Sequence, residues 1–146
     1  MRKEYEIKAR DFLRAGEGSI KIQSALKAIG IDPNIIRRAS ICAYESEMNV
    51  VMYGSDGTIS LTVDTDAVII EVRDHGPGID DIDLALQEGY STAISNYSDM
   101  GFGAGMGLPN IKKNADSFEI HSQKDKGTYL KICFWVTGNS EQLNTT

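Results

Sequence analysis

Several things are scarce in this sequence, and each scarcity excludes something. Positive charge is in deficit: 15 Lys and Arg against 21 Asp and Glu give a formal net charge of −6 and a pI near 4.9. A nucleic-acid binder needs a basic face, so that class is not expected. No apolar run approaches the roughly 20 residues that a membrane span requires. The basic residues of MRKEYEIKAR are followed by no apolar stretch, so a secretory leader is not expected either. Cysteine is limited to Cys42 and Cys133, far apart, in apolar surroundings and without metal-type spacing. They read as small buried hydrophobes rather than as redox or metal groups. Internal repeats and linkers are missing. What is left is a 146-residue chain, 41% hydrophobic and 25% charged, of ordinary globular composition. It is long enough for one domain over 1–136 with a full core, followed by a polar tail over 137–146 expected to be disordered. A cytoplasmic protein is the default.

The order of elements follows from periodicity. EYEIKAR alternates weakly and reads as a first strand. SIKIQSALKAIG reads as a helix, with Ile20, Ala25, Leu26 and Ile29 as its apolar stripe and Gly30 at its end. Asp32 before Pro33 is a helix start, so a second helix is expected from Pro33 to about Met52, stopped by Gly54, Asp56 and Gly57. TISLTVDT and AVIIEVRD alternate with period two around Thr65 and Asp66 and form an antiparallel hairpin. The loop HGPGI follows, then a short helix DDIDLALQEGY, then a glycine-rich stretch to Gly107. A helix LPNIKKNAD and two closing strands, SFEIHSQ and TYLKICFWV, complete the chain. Helices segregated from hairpin-joined strands predict an α+β fold: a two-layer sandwich with one mostly antiparallel sheet, covered by helices on one face.

Three stretches carry possible chemistry. Glu45 and Asn49 lie one helical turn apart and share a face. Such a pair fits a solvated helix edge. It equally fits a neutral oxygen offered to Mg²⁺ beside a carboxylate that takes a proton or orients a nucleophile. In RDHGPGI, Asp74 ends a strand before Gly76 and Gly78. This fits a tight turn, and also an acceptor for the exocyclic amine of adenine, with glycines that let backbone approach a flat ring. GFGAGMGLPN places Gly101, Gly103, Gly105 and Gly107 before a helix. It fits a flexible loop, and also a phosphate cradle of convergent N–H groups at a helix N-terminus. No strand leads into it and no GK[ST] follows, so neither a Rossmann fingerprint nor a P-loop is present. Lys112 and Lys113 fit either a solvated face or a reach toward phosphate.

ExxxN on a helix, DxGxG after a strand and GxGxG before a helix, in that order, resemble the nucleotide-binding domain of the GHKL superfamily over roughly residues 20–136. The resemblance implies ATP and Mg²⁺ as cofactors. Glu45 matches the acidic residue that orients the attacking hydroxyl or water, and Asn49 the Mg²⁺-binding asparagine. Asp74 matches the adenine-reading aspartate, with Gly76 and Gly78 beside the ring. Gly103, Gly105 and Gly107 match the phosphate-loop glycines, with Leu108 next to them. Gly127 and Thr128 resemble the late Gly–Thr element near adenine. His75 and His121, the only histidines, fall inside the nucleotide domain, so the histidine-kinase branch is not expected. The chaperone and topoisomerase branches carry appended domains for which this length leaves no room. LALQEGYST and GMGLP, through Leu84, Ala85, Leu86, Gly89, Tyr90, Ser91, Thr92, Gly107, Leu108 and Pro109, look especially like the switch kinases of the RsbT type, among the small anti-sigma and switch kinases that also include the RsbW type. Those phosphorylate a serine or threonine of a STAS-domain antagonist. Met48 departs from the basic residue usual there, and the lid over 91–104 is longer. The resemblance implies a serine/threonine protein kinase. A sigma factor held by sequestration, or a non-catalytic ATP-binding scaffold, is the alternative, and a homodimer is compatible with either.

Overall fold

A computed structural model describes residues 1–53, 55–79, 86 and 107–136. The elements run β1 (Arg2–Ile7), α1 (Glu17–Ala28), α2 (Pro33–Tyr53), β2 (Gly57–Val63), β3 (Ala67–Asp74), α3 (Gly107–Asn114), β4 (Ser117–Gln123) and β5 (Gly127–Trp135). The short helix expected over 80–90, apart from Leu86, lies outside the described residues, as do the lid and the tail.

The strands form one five-stranded antiparallel sheet in the order β1-β2-β3-β5-β4. Register turns the period-two pattern into rows. Ile59, Val72, Leu130 and Ile120 lie side by side across four strands, as do Leu61, Ile70, Ile132 and Phe118. These rows face the helices and form the core with Ile22, Leu26, Val50, Val51 and Ile111, all at most 1% exposed. Two of the alternate rows are polar, while a third, Thr62, Ile69, Cys133 and Ser117, is mixed. Ser60, Glu71, Lys131 and Glu119 form one polar row, and Thr58, Arg73, Tyr129 and His121 the other. There the Tyr129 hydroxyl donates to Glu71 at 2.6 Å, with Arg73 4.5 Å above its ring. A sheet apolar on one side and hydrogen-bonded on the other is the α+β two-layer arrangement that the element order predicts.

Local chemistry sets the element ends. Asp32 accepts from Asn34 N–H at 2.7 Å and starts α2. Asp64 Oδ1 accepts from the N–H groups of Asp66 and Ala67 and closes the β2–β3 hairpin. α1 stops in a Schellman motif: Gly30, at φ +77°, donates to Lys27 O, and Ile31 N–H reaches Leu26 O. The stripe expected on α1 needs correcting. Ile22 and Leu26 are fully buried, while Ile20 is 61% and Ile29 48% exposed. Ile20 lies on the solvent side because the N-terminal turn of α1 is drawn against α2 through Gly18 and Ser19, which are buried instead.

α2 is the central helix. It packs on α1, on α3 and on the sheet, so three of its sides are occupied. That explains the long run of buried residues from Ser46 to Met48 and from Val50 to Met52. Its C-terminal carbonyls are covered by Arg10, whose guanidinium donates to Met52 O and whose N–H donates to Val51 O. Both cysteines are buried, Cys42 completely. Among the described residues no helix is long and apolar enough to cross a membrane.

Candidate functional site

The site residues on α2 face α3. Glu45 and Asn49 are half-buried, on either side of the buried run from Ser46 to Met48. Glu45 Oε2 accepts a hydrogen bond from Asn110 Nδ2 at 3.0 Å. Asn49 lies against Gly107, where an added Cβ would stand 3.1 Å from Asn49 Oδ1. A side chain at 107 would crowd that oxygen, so glycine lets the start of α3 reach Asn49. Leu108 is a core residue, 7% exposed, so only its main chain faces outward at the helix start. The first N–H groups of α3 have no partners inside the helix. Lys112 and Lys113 are exposed in the last turn, beside the carbonyl end, where cations are favoured whether or not phosphate is near.

The second group gathers where β3 ends. Asp74 Oδ1 accepts from Gly76 N–H at 2.8 Å, which folds the loop back on its strand, and no described residue donates to the other oxygen. Gly78 has φ +80°, and a Cβ there would stand 2.3 Å from Gln123 O. This glycine is therefore required by the approach of the β4–β5 hairpin, a reason the sequence did not suggest. Asp125 N–H donates to Pro77 O at 2.8 Å, and Ile79 N–H to Ser122 Oγ at 2.7 Å. Ser122 Oγ is in turn 2.9 Å from Thr128 Oγ1. Gly127, at φ +98°, would carry a Cβ only 2.0 Å from Asp74 O. Asp74, its loop and Thr128 thus form one tightly fitted corner, in which glycine is the only residue that fits at 78 and 127.

Glu45, Asn49 and Gly107 are brought together, and so are Asp74, Gly76, Gly78 and Thr128. Among the described residues no hydrogen bond joins the two groups. Gly103 and Gly105 lie outside the described residues. Two polar residues escaped the sequence reading. Asn110 is one; an asparagine on a short helix carries no distinctive signal. The other is Glu47, 3% exposed, which accepts from the N–H groups of Gly16, Gly18 and Ser19 at 2.9–3.2 Å. It is a remote N-cap for α1, whose own N-cap residue, Gly16, has no side chain to offer. A glutamate among apolar neighbours was its signal.

The family model for histidine kinase-, DNA gyrase B- and HSP90-like ATPases matches residues 6–138. The chain belongs to this family. ATP binding goes with membership of this GHKL group. The GHKL chain is 27% identical over 118 residues to a serine/threonine-protein kinase RsbT of Bacillus subtilis, covering 78% of this chain and 83% of that one. It is 29% identical over 116 residues to an anti-sigma F factor of Thermoanaerobacter pseudethanolicus, covering 75% and 78%. An anti-sigma F factor of Heyndrickxia coagulans is 31% identical over 102 residues, covering 66% and 60%.

Proposed function

We propose that this GHKL protein is a cytoplasmic serine/threonine protein kinase of the switch type, which transfers the γ-phosphate of ATP to a hydroxyl of a STAS-domain partner. The observation that carries the reading is Glu45 and Asn49, one turn apart on α2, facing the start of the helix into which the glycine-rich segment runs. The names of the relatives support the same class of activity.

Mg²⁺ fits the groups present. Among the described residues no cluster of three or more His, Cys, Asp or Glu could hold a metal alone. Asn49 offers a single neutral oxygen that takes no hydrogen bond from a described residue. A hard cation that keeps phosphate oxygens and waters as its other ligands needs no more than this from protein. When bound, the ion would neutralise charge on the triphosphate.

Asp74 accepts from the exocyclic amine of adenine, with Thr128 beside it and Gly76 and Gly78 shaping the loop. Gly103, Gly105 and Gly107 and the N–H of Leu108 donate to phosphate oxygens. Glu45 orients the partner's hydroxyl. Its oxygen forms a bond to the γ-phosphorus as the bond to the β–γ bridging oxygen breaks. ADP departs with that electron pair, and the hydroxyl proton passes to the Glu45 carboxylate. Positioning and electrostatics account for most of such catalysis, so few groups are needed.

The test uses γ-labelled ATP, Mg²⁺ and a candidate STAS protein. Glu45→Ala is expected to abolish labelling while calorimetry still records ATP binding. Labelling at the wild-type rate would remove Glu45 from its role. A second reading, sequestration of a sigma factor, is favoured by the anti-sigma F names among the relatives. Co-purification separates the two: a bound sigma factor supports sequestration, a bound STAS protein the kinase.

A further inference from the structure

We propose that Asn110 is a positioning residue for phosphoryl transfer, holding the Glu45 carboxylate in the orientation the reaction needs. The proposal rests on the reading of Glu45 as the proton acceptor. α3 runs antiparallel to α2, and the contacts between them form a ladder. Gly107 meets Asn49, Asn110 meets Glu45, Cys42 Sγ lies 3.6 Å from Ile111 O, and Arg38 donates to Asn114 O at 2.8 Å. Arg38 also bonds Asp116 at 3.2 Å, and the Asn114 amide caps Asn110 O at 2.8 Å. The helix that carries Asn110 is thus fixed to α2 along its whole length.

Within that frame the amide does one specific thing. Its N–H takes Glu45 Oε2, and no described residue donates to Oε1. An unheld glutamate samples several rotamers at similar energy. Tied at one oxygen, it is restricted to the orientations that keep this bond, and Oε1 is left for the partner's hydroxyl. Asn110 stands one turn beyond Gly107, so the helix that begins at the phosphate end also sets the carboxylate that receives the proton. Substrate, nucleotide and base are then registered by one short helix.

The amide is distinguishable from a mere space-filler, because aspartate has the same shape and the opposite hydrogen-bond character. Asn110→Ala is expected to lower kcat about tenfold, the loss of one charge-assisted hydrogen bond. Asn110→Asp is expected to lower it further, since two carboxylates then face each other. KM for ATP is expected to stay within about twofold in both, because neither touches the nucleotide. Thermal melting supplies a readout independent of transfer. Asn110→Asp lowers Tm, and Glu45→Gln combined with Asn110→Asp restores it, since glutamine can donate to the new carboxylate. A wild-type rate in Asn110→Asp, or a double variant that melts no higher than Asn110→Asp alone, overturns the assignment. Should the wild-type protein transfer no phosphate to any STAS substrate, the kinase reading fails, and the melting cycle still decides whether Asn110 holds Glu45.

Discussion

At the scale of single residues, the proposed adenine corner depends on one carboxylate serving two donors. Asp74 holds Gly76 N–H with one oxygen, no described residue donates to the other, and the proposal gives that one to a ligand amine. Asparagine has one oxygen for the same two donors, so Asp74→Asn leaves a donor unpaired or sets an NH₂ against the amine. Roughly 1–3 kcal/mol of ATP affinity should be lost, read as a weaker Kd by calorimetry; unchanged affinity would remove Asp74 from adenine recognition. Cys42 gives a second prediction at this scale. Burial pushes its thiol from 9.0 up to about 12, with Arg38 opposing and Glu45 adding to the rise. The unfolded thiol loses its proton first as pH rises, so ionisation favours the unfolded chain. The contribution of Cys42 is complete below pH 9 and is lost as pH climbs toward 12. Between about pH 8.5 and 10.5 the urea midpoint should fall more steeply in wild type than in Cys42→Ala. Tyr129, also raised to about 12 by burial and its bond to Glu71, adds the same slope to both proteins and cancels.

At the scale of elements, α2 is a hub whose polar residues tie it to both flanking helices. Glu47 satisfies the start of α1, Glu45 and Asn49 face α3, and Arg38 ties the end of α3. Glu47→Ala strands three buried N–H groups at once. It should cost roughly 2–4 kcal/mol in urea denaturation, with the m-value unchanged. Glu47→Gln should recover part of that loss, because an amide oxygen still accepts. A Glu47→Ala variant as stable as wild type would mean that water can replace the cap. No comparable loss is expected at Lys112 or Lys113, which are exposed on the last turn of α3.

At the scale of the whole molecule, the proposed function places the nucleotide between two groups that no described hydrogen bond connects: the Asp74 corner on the sheet and the Glu45–Asn49 face on α2. A ligand that bridges them stabilises the fold by its own binding energy. At about one hundred times its Kd, Mg²⁺–ATP should add roughly 2.7 kcal/mol and raise Tm by about 5–10 °C for a chain of this size. Differential scanning calorimetry with and without nucleotide measures this, and no shift would argue against ATP as ligand. The polar face of the sheet carries its own contacts, the Tyr129–Glu71 hydrogen bond and Arg73 over the Tyr129 ring, none of which involves that ligand.

Local rules made much of this legible in advance. β3 and β4 have the limits that alternation predicts, and Asp32 and Gly30 mark helix ends by chemistry confined to a few neighbours. The order of the three motifs pointed to the nucleotide-binding family because each motif is a short segment with its own signature. Packing decided the rest. Whether Ile20 or Ile22 is buried depends on how α1 rolls against α2, and a helical period with apolar residues on both sides leaves that roll undetermined. Glu47 meets its donors across about thirty residues of chain, and Asn110 meets Glu45 across 65. Gly78 and Gly127 are glycines because of backbone brought from another part of the sheet. Sequence spacing fixes what lies on one face of one element, and only the docking of elements fixes which faces meet.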